Sequence, residues 1–340
     1  MRVNDAGDAV WRKSVANPGH ESLLWDVHAD GHDGFVAAGY SDAAGTSDGW
    51  LVRFTSSGEI SWEKRFDMGG VDRFYMLAAD ASIPGGGWLC VGQSDDKAGK
   101  NRAWVVRTDA SGRELSHAIW STDANDRAFA AQPIGFDCVV GGMTGRGHDD
   151  ANGFIARVDA SGTERWRYVM SDWPFSVIHG IKPLADGHFL VSGYRNTRAG
   201  LGSQGFILVI DEMGNVLRQT SLGGPGNDRT LHALAFSDGS CAVIGHSQSP
   251  DAADGRTGWD MSLFALDREG GVRFSSRFGG KGTEFGRGID GTASDLWLVG
   301  HTESPSGNES RVYVVRLDLT TQGDAKNHGI KDQSGPAGTH

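Results

Sequence analysis

The chain reads as an all-β protein, a six-bladed β-propeller with four antiparallel strands in each blade. Three observations carry that reading. Glycine makes up 51 of the 340 residues, about twice its usual share, and proline is scarce, so the chain needs many tight turns rather than collagen-like or low-complexity structure. Turn glycines recur at positions 7, 58, 112, 162, 214 and 270, at spacings of 51, 54, 50, 52 and 56 residues. A second series, at 39, 92, 142, 193, 245 and 300, keeps the same period. Two independent series with one period mark a repeat of four short strands.

The elements follow in order within a unit, here the one beginning near residue 72. Strand A is RFYMLAAD (73–80) and strand B is GWLCVGQS (87–94), ending on the second glycine series. Strand C is AWVVRTD (103–109), with an aromatic near its start in most units: Trp50, Trp104, Phe154, Phe206 and Tyr313. A D-x-x-G turn follows, as in Asp109–Gly112, Asp159–Gly162, Asp211–Gly214 and Asp267–Gly270. Strand D is RELSHAIW (113–120), and its equivalents carry Trp11, Trp62, Trp166 and Phe274 four residues after the turn glycine. Apolar residues fill both faces of strands B and C, as expected for a sheet covered on two sides. No window shows helical periodicity.

The phase of the termini predicts how the ring closes. The last unit offers A (284–291), B (294–302) and C (311–318), then loses its pattern. The chain starts with Gly7 and DAVWRKSV, a D strand, so the N-terminal strand is expected to complete the last blade. Residues 1–318 are expected to form one propeller domain, and the polar, unpatterned residues 319–340 a disordered tail.

These units resemble bacterial propeller repeats of the delta-60 or PQQ-like type. The match is carried by WLVRF (50–54), FTSSGEISWEKRF (54–66) and FGGKGTEFGRG (278–288), and extends over about residues 1–318. The resemblance implies the fold and is nearly silent on function. It brings over no quinone site, because the motifs of the quinone-dependent dehydrogenases are missing.

Composition narrows the partners. The formal net charge is −11, and no basic stripe is visible, which argues against nucleic acid. No apolar run reaches the length of a membrane span, and no signal peptide is present at the N-terminus, so no membrane partner and a cytoplasmic location are expected. Cys90, Cys138 and Cys241 sit in apolar strand-like runs and are expected as buried thiols. No cofactor is expected, and a monomer is the default.

Function is sought where blades differ from one another. Just after the B-strand glycine stand Tyr40, Gln93, Met143, Tyr194, His246 and His301. His246 and His301 are equivalent positions in adjacent blades. With Glu284 to orient one of them they suit acid–base catalysis, and two His with a carboxylate also suit a divalent metal. At the start of strand A an acid recurs at Asp72, Asp126, Asp228 and Glu284, with Glu21 as a further candidate, often followed by arginine. The acids are expected to hold loop amides. Arg73, Arg127, Arg229 and Arg287 are candidates for an anionic ligand. Trp120 and Trp173 occupy D–A loops that other blades fill with glycine, and with Tyr194 they suit an apolar ligand part; Tyr40 and, on strand A, Trp25 are further binding candidates. His179 and His232 lie on strand A without equivalents in most blades. The reading is a small-molecule enzyme of lyase, isomerase or hydrolase type; the alternative is a scaffold binding a protein or glycan on the same face.

Overall fold

Six four-stranded antiparallel sheets form a six-bladed β-propeller with no α-helix among the described residues. The computed structural model describes residues 1–15, 21–43, 46–95, 98–120, 122, 124–146, 150–197, 202–248, 258–280, 282–303, 310–319 and 328–329. Blade 1 consists of strands A to D at Ser22–Ala29, Gly34–Ala43, Thr46–Thr55 and Ile60–Phe66. Blade 2 runs through Asp72–Ala79, Gly87–Asp95, Asn101–Asp109 and Glu114–Trp120, and blade 3 through Asn125–Ile134, Asp137–Gly145, Asn152–Val158 and Glu164–Val169. Blade 4 comprises Ser176–Pro183, Phe189–Asn196, Ser203–Ile210 and Val216–Leu222. Blade 5 comprises Asp228–Ala235, Cys241–Ser247, Asp260–Leu266 and Val272–Phe278. Blade 6 has Thr283–Gly291, Asp295–Glu303 and Ser310–Asp318, with His328–Gly329 as its fourth strand.

That fourth strand departs from the sequence expectation. Residues Arg2–Val3 and Ala9–Trp11 pair with each other in a separate two-stranded sheet. Asn4 Oδ1 accepts from the amides of Ala6 and Asp8 at 3.0 and 2.8 Å, which folds the N-terminal segment back on itself. The exposed edge of Ser310–Asp318 pairs instead with the tail, Val315 opposite Gly329 and Arg316 opposite His328. Thus the 319–340 segment expected to be unstructured contributes a short strand; its residues 320–327 and 330–340 lie outside the described residues. The N-terminal tryptophan still keeps the packing of a D-strand residue. Trp11 lies against Gly58 and donates to Ser56 O at 2.8 Å, as Trp62 lies against Gly112 and Trp166 against Gly214.

Contacts divide the chain into two compact units. Unit 1 holds Met1, Trp11–Ile181 and Ile210–Asn215; unit 2 holds Arg2–Val10, Lys182–Val209 and Val216–His340. In unit 1 the cores lie between successive sheets. Trp104 stacks on Phe74 at 4.5 Å beside Leu51, Leu77 and Val106, and Phe154 sits among Leu89, Val91 and Val140. In unit 2 Leu190, Ile207 and Val243 form one core, and Ile244, Leu263, Leu298 and Val315 another. The three cysteines are buried inside these layers, and burial pushes the thiols of Cys138 and Cys241 up to about 12.

The repeat motifs have local causes. In the D-x-x-G turn, Asp109 Oδ1 accepts from the amides of Ser111 and Arg113 at 2.9 and 3.0 Å, and Gly112 takes a φ of +77° that side chains resist. Those bonds to the ionised carboxyl, that of the Ser111 hydroxyl foremost, hold Asp109 down at about 2. A second device, unread in the sequence, ties strand C to the A–B turn. Arg53 Nε donates to Asp30 at 2.8 Å, Arg157 Nε to Asp137 at 2.9 Å and Arg316 Nε to Asp295 at 2.9 Å, while Arg107 Nε lies 3.3 Å from Asp80.

Candidate functional site

The B-strand glycines create the candidate site. Strand A carries a β-bulge at the same place in at least five blades, between Leu24 and Asp26, Phe74 and Met76, Ala128 and Ala130, Thr230 and His232, and Gly286 and Gly288. Next to it, the carbonyl of the residue two before the bulged one presses on the facing strand. A Cβ at Gly92 would stand 1.8 Å from Arg73 O, and at Gly245 1.8 Å from Arg229 O. Only glycine fits there, which explains the recurring series. Strand A thus exposes two variable positions per blade: one facing the residue after the glycine, and the bulged residue itself. The bulged residues are Trp25, Tyr75, Phe129, Leu231 and Arg287, and His179 is their equivalent by register of sequence.

The recurring acids hold loops, as expected. Asp72 Oδ2 accepts from Met68 N at 2.7 Å, Asp126 from Thr122 N at 2.5 Å and Asp228 from Gly224 N at 2.9 Å. Glu284 belongs to this set. Its oxygens accept from Gly280 N at 3.1 Å and Thr302 Oγ1 at 2.7 Å, and it is buried. Its carboxylate is therefore engaged with the loop, and the carboxylate beside His301 is that of Glu303, 3.6 Å from His301 Nε2. Glu21 lies one residue before the series, since Ser22 pairs with Ser41 as Asp72 pairs with Ser94.

In unit 2 the variable positions gather rings and cations. Arg229 faces His246 across the pair of strands. Its guanidinium lies 4.9 Å from the Tyr194 ring and 5.0 Å from that of Trp259. Arg287 lies 5.5 Å from the Phe285 ring and within electrostatic reach of Tyr194, Glu303 and Arg229. Neither arginine has a hydrogen bond or an ion pair among the described residues, and Arg229 Nε is buried. Arg287 is solvent-exposed, and partial desolvation beside the rings, together with the repulsion of Arg229, lowers its pKa. His246 is buried, edge-on to Trp259 at 4.8 Å and to Phe285 at 4.9 Å. His301 is half-buried and packs on the other histidine's neighbour, Phe285, also at 4.9 Å. Burial and the Arg287 charge lower the His301 pKa, so its neutral form is favoured at pH 7. Burial raises that of Tyr194.

Unit 1 uses the same positions differently. Arg73 lies 4.4 Å over the Tyr40 ring and donates to Ser47 Oγ at 3.3 Å, while Tyr40 donates to Glu21 at 2.7 Å. Burial, then this contact with Glu21, pushes the Tyr40 hydroxyl up to about 12. The bulged residues form a run of rings: Trp25 to Tyr75 at 5.8 Å, Tyr75 to Phe129 at 5.1 Å and Phe129 to His179 at 5.3 Å. Arg127 faces Met143.

Of the other candidates, Trp120 packs against the core between blades 2 and 3. Packing accounts for part of its surface, which is half-buried. Trp173 is half-buried in the segment leading to blade 4, and His232 lies half-buried on strand A of blade 5. Trp259, Phe285 and Glu303 were missed; the register, once the bulge is known, points to Phe285, whereas Trp259 lies just before strand C without an equivalent signal. Among the described residues no three His, Cys, Asp or Glu side chains gather as a metal site. No described helix is long and apolar enough to cross a membrane.

No protein-family model matches the chain, and no curated protein matches it. Solved structures match its fold. The subtype N10 neuraminidase-like protein of A/little yellow-shouldered bat/Guatemala is 10% identical, covers 91% of this chain and 97% of its own, and superposes with a TM-score of 0.53. Sqt1 from Chaetomium thermophilum is 12% identical over 89% of this chain and 70% of its own, with a TM-score of 0.50. A luciferin-regenerating enzyme is 11% identical over 92% and 96%, also at 0.50. At such identities the likeness is one of fold.

Proposed function

We propose that the Arg229–Arg287–His301 cluster of unit 2 binds a small organic anion, and that the protein is an acid–base enzyme of lyase, isomerase or hydrolase type acting on it. One observation carries the reading: two neighbouring guanidiniums make no hydrogen bond or ion pair among the described residues. The Arg229 charge opposes that of Arg287; an oxyanion held by both would offset that repulsion, and guanidinium donors suit one. The rings of Tyr194, Trp259 and Phe285 offer the apolar part of the site.

His301 supplies the proton chemistry. Favoured in its neutral form at pH 7, it acts as a general base, and the Glu303 carboxylate stabilises the imidazolium that forms. His246 is buried between rings and positions Phe285 rather than reaching a ligand. Turnover is sought by NMR on a panel of small organic acids, with His301→Asn as control. Bound acid that is no longer converted supports the assignment; undiminished conversion overturns it.

A scaffold reading is favoured by one feature of unit 1: Trp25 is 48% exposed. Its test is whether Trp25→Ala weakens capture of a protein or glycan while leaving acid binding by unit 2 intact.

A further inference from the structure

The charge and shape of this cluster narrow its ligand further, an inference that rests on the anion-binding reading above. The groups acting electrostatically on Arg287 are Tyr194, Glu303 and Arg229, and burial raises the Tyr194 pKa, which keeps its hydroxyl neutral. Two cations and one carboxylate leave a single positive charge, since His301 is favoured in its neutral form. One negative charge balances it, where a phosphate monoester brings between about 1.5 and 2 at neutral pH. The donors lacking partners are those of two planar guanidiniums, whose N–H forks match the two oxygens of a carboxylate. Around them three aromatic rings, Tyr194, Trp259 and Phe285, are each only partly buried. Arg229 lies over two of these rings and Arg287 over the third, so the charged and planar surfaces adjoin. A flat conjugated body meets such walls better than a puckered aliphatic one, because aromatic rings favour stacked and edge-to-face neighbours.

We infer that the ligand is a planar aromatic monocarboxylate, its carboxylate held by Arg229 and Arg287 and its ring laid among Tyr194, Trp259 and Phe285.

The test is calorimetric titration of the full-length protein at pH 7.0 with four probes: benzoate, cyclohexanecarboxylate, phenyl phosphate and benzyl alcohol. Benzoate is expected to bind about tenfold tighter than benzyl alcohol and than cyclohexanecarboxylate, with phenyl phosphate no tighter than benzoate. Arg229→Lys keeps the charge but loses the fork, and is expected to weaken benzoate about tenfold with an unchanged thermal unfolding midpoint. Arg287→Gln gives the same direction. Benzoate and benzyl alcohol binding alike, or none of the probes binding, overturns the anion reading itself and this inference with it. Phenyl phosphate binding tenfold tighter than benzoate overturns the carboxylate assignment and leaves the anion reading standing. Equal affinity for cyclohexanecarboxylate overturns the planar ring. Unchanged benzoate affinity in both arginine variants overturns the assignment to this cluster.

Discussion

Arg73 and Arg229 stand at the same point of the repeat, and each buries an Nε without a partner, but among the described residues only Arg73 donates a hydrogen bond to a neighbouring side chain. Each follows the loop-holding aspartate, precedes the strand-A bulge, and lies over a tyrosine of the preceding blade, Tyr40 at 4.4 Å and Tyr194 at 4.9 Å. In unit 1 polar neighbours take part: Ser47 accepts from Arg73, and Glu21 accepts from Tyr40. In unit 2 Arg229 meets a second ring, Trp259, with Arg287 nearby. The backbone is shared, so the difference lies wholly in the side chains. A cation–π contact alone therefore says little about a ligand; the same contact with the donors left over says more.

The comparison is broken most severely through its glycines. Gly92→Ala and Gly245→Ala each drive a Cβ to 1.8 Å from a backbone carbonyl. Both are expected to cost about 4 kcal/mol or more, or to prevent folding, in chemical denaturation. If Gly245→Ala were neutral, the shared backbone would not be what makes the two arginines equivalent.

Packing along strand A comes next. Leu77 in blade 2 is fully buried, and Val27, its equivalent in blade 1, is 59% exposed. Leu77→Ala is expected to lose about 2–5 kcal/mol and Val27→Ala about 0.5 kcal/mol or less. Equal losses would mean that the blade 1 surface is covered in solution.

The arginines themselves sharpen the contrast at smaller scale. Arg229→Ala is expected to weaken benzoate about tenfold, near 1.4 kcal/mol, whereas Arg73→Ala leaves it unchanged. The reverse order would move the anion site to unit 1.

The smallest effect is that of pH. With the folded-state pKa of His301 below that of the unfolded chain, its contribution to stability is present above pH 6.5 and lost as pH falls through the lowered value. His301→Gln should remove that part of the acid-side decline in the unfolding midpoint. As a general base, His301 should make turnover rise with pH through the same range, and a rate flat between pH 5 and 8 would argue against that role.

Much of this was legible in one sequence. Period, strand order, turn chemistry and the loop-holding acids are local, because Gly at positive φ and Asp at a turn satisfy the backbone within a few residues, wherever the blade sits. The tyrosines, arginines and His301 were also visible, as departures from the repeat. What the tertiary structure decided is which of them have partners. Glu284 and Glu303 are both acids in blade 6, and only their positions relative to the loop amides and to His301 separate an anchor from a neighbour of the imidazole. Trp120, a candidate ligand wall, is partly buried and packs against the core formed by blades 2 and 3, which the sequence does not show. The last blade's fourth strand is likewise a choice between two segments competing for one exposed edge. Local chemistry sets what a residue is able to do. Long-range packing sets whether its hydrogen bonds are already spent, and a repeat places the same residue in six different surroundings.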